Sequence, residues 1–158
     1  MDEMVLRAQK WVNSAYKGVA GYNPVDEDGI TGWSTMYALT RALQHELGVA
    51  PLSDSFGPAT LAALTAHGEI TGTEQNLNMV KIAQSACYCK GYNPGDISGT
   101  YGPMTAKAIH AMMENAGLGF DDGRLRPKVF KALLTMDAYV VVAGGLSKVR
   151  SVSLFQEA

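Results

Sequence analysis

The sequence is poor in the residues that build cross-links and metal sites. Of its 158 residues, two are cysteine (Cys87 and Cys89) and three are histidine. Residues two apart on a helix point in different directions, so the two thiols are expected to be buried and free, and a disulfide framework is excluded. His45, His67 and His110 lie far apart, with no HxH or HxxxH partner and no paired CxxC. That leaves no metal-ligand pattern and predicts surface or capping roles; no cofactor is implied. Long apolar runs are missing too. The longest, residues 138–143, suits a short buried segment, so no membrane insertion is expected. The N-terminal MDEMVLRAQK is acidic and lacks the apolar core of a signal peptide. A soluble chain is expected, whose export would need a signal outside this sequence or another route.

Charge is also sparse, at 18% of residues and a net of −2. Residues 1–75 hold 4 Lys/Arg against 9 Asp/Glu, a net of −5, and residues 76–158 hold 9 against 6, a net of +3. The basic residues form no run, so a nucleic-acid partner is not expected. The opposite net charges suggest complementarity between the halves. The glycine-rich GYNPGDISGTYG lacks the Lys-Ser/Thr of a phosphate loop. No serine or cysteine stands in an organised pair with a histidine, so nucleophilic catalysis has no signature.

What the chain does contain is apolar residues, 47% of the total, enough for a packed core, and a repeated phrase. Residues 54–64, DSFGPATLAAL, read as a turn that launches a helix. Asp54 can form an Asx-turn, and Phe56 is an apolar anchor. Gly57 permits an unusual backbone, and Pro58 suits the first helical position. Thr60, Leu61 and Leu64 follow at helical spacing. Residues 28–39 (DGITGWSTMYAL) state the phrase first, with Ile30 as anchor candidate, Gly32 before the helix and Ser34 as cap candidate. Residues 99–109 (GTYGPMTAKAI) state it a third time, with Tyr101, Gly102, Pro103 and Thr105. Residues 122–133 (DGRLRPKVFKAL) state it a fourth, with Leu125, Arg126 and Pro127.

The phrases lie in a larger duplication. VLRAQ at 5–9 matches VKIAQ at 80–84, GYNP at 21–24 recurs at 91–94, and ITG at 30–32 is matched to ISG at 97–99, a period of about 70–75 residues. A leading helix opens each unit, with Val5, Ala8, Val12 and Tyr16 on one stripe and Leu77, Val80, Ala83 and Cys87 on the other. The predicted fold is all-α: two tandem three-helix modules, at 1–68 and 76–143, joined by a polar linker at 69–75. The last helix of the second module is read as continuing through residues 139–142, against the β-branched Val140-Val141-Val142. A C-terminal helix is expected over 144–158, similar at VRSVSLFQ to the first helix and so the start of a third unit.

The phrase DG-x-[FYL]-G-P-x-T-x-x-A-[LI], four times in register, resembles the peptidoglycan-binding-domain-like repeat of bacterial and phage cell-wall hydrolases, endolysins among them. The stretch DGITGWSTMYALTRALQHELG further resembles modules attached to glycoside-hydrolase-like cell-wall lytic proteins. The resemblance covers nearly the whole chain. It implies non-catalytic binding to bacterial peptidoglycan, by glycan strand or stem peptide, outside the cell or in the cell wall, with a separate catalytic domain in a longer protein. The chain departs from the pattern at Thr31-Gly32 and Leu125-Arg126, where the repeat carries Phe-Gly. It departs again where a Phe-Gln pair closes the following helix: here stand Leu43-Gln44 and Met112-Met113.

Sugars are held by aromatic faces and hydrogen-bonding side chains. The candidates are Tyr22-Asn23 and Tyr92-Asn93 in equivalent loops, Trp33 and Tyr37 at the start of the second helix, and Tyr101 as their rough counterpart. Arg126, with Arg124 and Lys128, offers cations for peptide carboxylates. Packing is the competing role for the tyrosines and turn-shaping for the asparagines. Two other functions remain as alternatives. The first is a small muralytic glycoside hydrolase, for which Glu46, Asp54 and Thr60 come one residue short of a phage-lysozyme spacing; the repeated phrase already accounts for Asp54 and Thr60. The second is a helical protein-interaction module.

Overall fold

The computed structural model describes residues 1–120, 122–135, 139–141 and 149–151. The fold is all-α, with six helices among the described residues: α1 (Glu3–Tyr16), α2 (Trp33–Leu47), α3 (Pro58–His67), α4 (Leu77–Cys89), α5 (Pro103–Ala116) and α6 (Pro127–Thr135). Each begins where local chemistry allows. The Asp2 carboxylate accepts hydrogen bonds from the Met4 and Val5 amides at the head of α1, and Asn76 does the same for Met79 at the head of α4. Pro58 and Pro103 occupy the first turns of α3 and α5, where a missing N–H leaves nothing unpaired. Gly48 and Gly117 close α2 and α5 in the left-handed conformation. Ser34 is not a cap: α2 starts one residue earlier, with Gly32 in the cap position and no side-chain bond to the helix end.

The tail differs from expectation. α6 stops at Thr135. Tyr139–Val141 (β1) pairs antiparallel with Val149–Ser151 (β2), in the register Tyr139 to Ser151. Extended backbone therefore stands both where α6 was read as continuing and within the stretch read as a C-terminal helix. The physical reason is the β-branched character of Val140, Val141 and Val149, which lose rotamer freedom in a helix and fit a pleated surface. The rest of residues 144–158, and with it the suggested start of a third unit, lies outside the described residues.

The core is one cluster that runs through both halves. Its centre is α4, which turns Met79, Val80, Ile82, Ala83, Gln84, Ser85, Ala86, Cys87 and Cys89 inward and packs on α1, α2, α5 and α6. α6 in turn packs on α2 and α3. Leu77, read as part of the α4 stripe, is 54% exposed at the helix entrance. The 69–75 stretch is packed rather than loose: Ile70 is fully buried and exchanges both backbone hydrogen bonds with Leu125, at 3.0 and 3.3 Å. Both cysteines are free and buried, and burial pushes each thiol up to about 12.

Three buried glutamines organise the repeated phrases. The Gln9 amide nitrogen donates to Asp28 Oδ1, the Ile30 carbonyl and Thr35 Oγ1, while its oxygen accepts from the Asp28 and Gly29 amides. Gln84 repeats this with Ser98, the Thr100 carbonyl, Thr105 Oγ1 and the Gly99 amide. Gln44 does so with the Ser55 carbonyl, Thr60 Oγ1 and the Ser53 amide. These bonds correct the repeat register: Gly29 matches Gly99 and Thr31 matches Tyr101, so ITG at 30–32 is not the counterpart of ISG at 97–99. They also move the first anchor. Ile30 is 64% exposed, and Thr31 fills the anchor position, donating its hydroxyl to the Cys89 carbonyl at 3.0 Å.

Candidate functional site

The outer face of α2 carries the first candidate site. Trp33 and Tyr37 lie one helical turn apart and stack, with ring centroids 5.8 Å apart and planes 21° from parallel. Beside Tyr37 a groove of ≈ 160 Å³ is lined by Asn23, Pro24, Ser34, Ala38, Arg41 and Asp54. Arg41 is fixed in its wall: Nε donates to Asp54 Oδ1 at 2.8 Å, and Nη1 donates to the Gly21 carbonyl at 2.5 Å and the Leu52 carbonyl at 3.2 Å. Asp54 thus pairs with a helix side chain, while the Asx-turn geometry read for it occurs at Asp28 and Asp122, which accept from the Ile30 and Arg124 amides. An aromatic step beside an amide, a hydroxyl, a guanidinium and a carboxylate can hold a sugar ring and bond its hydroxyl and acetamido groups.

The remaining candidates are distributed differently. Tyr22 is buried against Tyr16, with its hydroxyl donated to Asn13 Oδ1 at 2.6 Å. Tyr101 is buried and donates to the Gly123 carbonyl; burial is the main cause that raises both phenols. Phe56, Thr60 and Thr105 are buried like them. Tyr92 is half-buried and accepts from Asn115 Nδ2 at 2.7 Å, and Asn93 shapes its turn by accepting from the Gly95 amide at 2.9 Å. Arg126 forms a two-pronged pair with Asp122, at 2.9 and 2.8 Å, stacks on Phe120 at 4.0 Å and lies 3.7 Å from Glu69. The Arg126 hydrogen bond is the main cause that brings the Asp122 carboxyl down to about 2.

The structure therefore gathers Asn23, Trp33 and Tyr37 in one place and adds Ser34, Arg41 and Asp54. Ser34 and Arg41, which line this groove, were not among the binding candidates read from the sequence. The signal available for Arg41 was its helical spacing of four from Tyr37, which puts the two on one face. The second repeat does not reproduce this face. With GYNP and Gly102 in register, Met104, Lys107 and Ala111 take the positions of Ser34, Tyr37 and Arg41, and Met104 packs against Gly95.

The other candidates are taken up by contacts of their own. Among the described residues no group of three His, Cys, Asp or Glu could hold a metal. His45 lies edge-on to Tyr16, His67 pairs with Glu74 at 2.9 Å and His110 with Glu114 at 3.5 Å. Glu46 accepts from Tyr16 Oη at 2.8 Å, Asn76 Nδ2 at 3.0 Å and Asn78 Nδ2 at 3.1 Å. Burial pushes its carboxyl up, and those three donors outweigh burial and leave it below the ordinary carboxylate range. A general acid needs the opposite shift. Thr60, the third member of that spacing, is bonded to Gln44 inside the core.

The chain belongs to the family described as "FadG/YbfG, PGDB-like domain", whose model matches residues 2–90. Residues 76–133 also match a family described as "Putative peptidoglycan binding domain". Both matches include α4. The chain is similar to "Uncharacterized protein FadG" of Bacillus subtilis (strain 168), with 56% identity over 153 residues, 96% of this chain and 27% of the relative. It is also similar to "Uncharacterized protein YbfG" of the same organism, with 43% identity over 152 residues, 96% of this chain and 21% of the relative. The chain thus spans about a quarter of the length of these curated relatives. No solved structure matches it.

Proposed function

We propose that this chain binds bacterial cell-wall peptidoglycan without cleaving it, and that the α2 groove is where the glycan rests. The observation that carries the reading is the family match over residues 76–133, supported by the repeated phrase along the chain. The chemistry of the groove supports it as the contact: Trp33 and Tyr37 give an apolar step, and Asn23, Ser34 and Arg41 give directed polar groups. In the longer protein implied by the relatives' lengths, such a module holds an attached cell-wall hydrolase on its polymer and raises its effective concentration there. That role places the protein outside the cell or in the wall.

Co-sedimentation with insoluble peptidoglycan, run alongside a turbidity assay, tests this. Pelleting without clearing is expected. Clearing by the purified chain would make it a hydrolase, and absence of both pelleting and clearing would leave a helical interaction module.

A further inference from the structure

A second groove lies where the two repeats meet, and its chemistry differs from that of the first. It has a volume of ≈ 270 Å³ and is lined by Arg7, Lys10 and Trp11 of α1 and by Ile97 from the loop before the third phrase. The Lys81 ammonium, from α4, stands over the Trp11 ring, 5.9 Å from its centroid. Arg7 Nη1 lies 3.2 Å from Asp96 Oδ1, with both side chains more than half exposed. Three cations thus line or border the groove that holds this indole, one of them paired with a carboxylate. The concentration is notable because residues 1–75 carry a net of −5 and only four Lys/Arg, of which this groove holds two. The Trp11 ring is fixed by edge contact with buried Tyr16, at 5.9 Å between centroids. The ring is half-buried: it packs against the core and also lines the groove.

We propose that this groove is a second saccharide site, selective for sugars that carry an acid. A sugar ring rests against Trp11 and Ile97, while its carboxylate or phosphate is met by Lys81, Lys10 and Arg7. The inference rests on the reading of the chain as a cell-wall binder and deepens it: the α2 groove takes neutral sugar, and the repeat boundary takes the acidic unit. The acid can belong to the stem peptide of peptidoglycan, to a lactyl group that carries no peptide, or to the phosphodiester of a sugar-bearing wall polymer, since each offers the same charge to the same cations.

Of the chain's two tryptophans, Trp11 lines the second groove and Trp33 stacks on Tyr37 at the edge of the first, so single-tryptophan variants separate the sites. Trp33→Phe leaves Trp11 as reporter, and Trp11→Phe leaves Trp33. Each is titrated by fluorescence with a muramic-acid-containing disaccharide peptide, a glucosylated glycerol phosphate polymer and a neutral N-acetylglucosamine oligomer. Trp11 is expected to respond to at least one acidic probe, to ignore the neutral oligomer and to lose response in high salt; which acidic probe acts identifies the source. Lys81→Gln should weaken that binding roughly two- to fivefold with unchanged melting. A silent Trp11 beside a responding Trp33 overturns this inference and leaves the cell-wall reading intact, and an equal Trp11 response to the neutral oligomer overturns the selectivity for acid. Silence of both tryptophans, together with no pelleting on peptidoglycan, removes both readings.

Discussion

At the residue scale, the buried amides decide what the repeated phrase is for. Gln9, Gln44 and Gln84 each tie a helix to the loop that starts a later one, through the threonines Thr35, Thr60 and Thr105. The fourth phrase lacks both partners. Met113 stands at the Gln44 position relative to the closing glycine of its helix, Val129 stands at the Thr60 position, and both are buried. The pair changes together because a buried amide without its hydroxyl partner costs about 1–3 kcal/mol, whereas two apolar groups of similar shape are nearly neutral. Met113→Gln alone should therefore lower the urea midpoint, and adding Val129→Thr should restore part of the loss; additive losses would break the link. Tyrosines divide on the same scale. Tyr22→Ala should lower the melting temperature by removing a buried ring. Tyr37→Ala should leave melting within about 0.5 kcal/mol of wild type while weakening sedimentation with peptidoglycan.

At the element scale, the contact of α2 with α4 carries the most distinctive electrostatics. Glu46 near the end of α2 gathers Asn76 and Asn78 at the head of α4, together with Tyr16 of α1. Its carboxyl lies below the unfolded value once these donors have offset burial. The stabilisation is therefore present above the unfolded pKa, about 4.3, and is lost as pH falls through the lower folded value. Glu46→Gln keeps the side-chain shape and removes the charge. Its urea midpoint should fall at neutral pH and change less than that of wild type on acidification below about pH 4.3; parallel pH profiles would show that Glu46 carries no such coupling.

At the scale of the whole molecule, α4 makes the two repeats interdependent. Its inward residues cover α1 and α2 of the first repeat as well as α5 and α6 of the second. Fragments 1–75 and 76–135 should each lack a cooperative melting transition, although each holds three helices, because each would expose the face that the other covers. The opposite net charges of the halves contribute little by comparison. Glu69 with Arg124 and Arg126 follows the charge asymmetry, whereas Arg7 with Asp96 runs against it and is more than half exposed on both sides. Melting in low and high salt should differ only slightly, and a steep loss in salt would restore charge complementarity as the cause.

The sequence by itself determined the six helices, most of their starts and stops, and the family, because these depend on local signals: helical spacing, first-turn proline, closing glycine and a phrase stated four times. It left the anchor of the first phrase at Ile30, since an isoleucine beside a turn has the composition of an anchor whichever way it points. It also read the tail as helix, since three-residue strands leave almost no periodic trace. Only the tertiary structure decided that α4 serves both repeats, that Tyr22 and Tyr101 are core side chains, and that Asn23, Tyr37, Arg41 and Asp54 meet in one groove. Those outcomes depend on contacts between residues distant in the chain, where burial of apolar surface and pairing of polar groups are settled together.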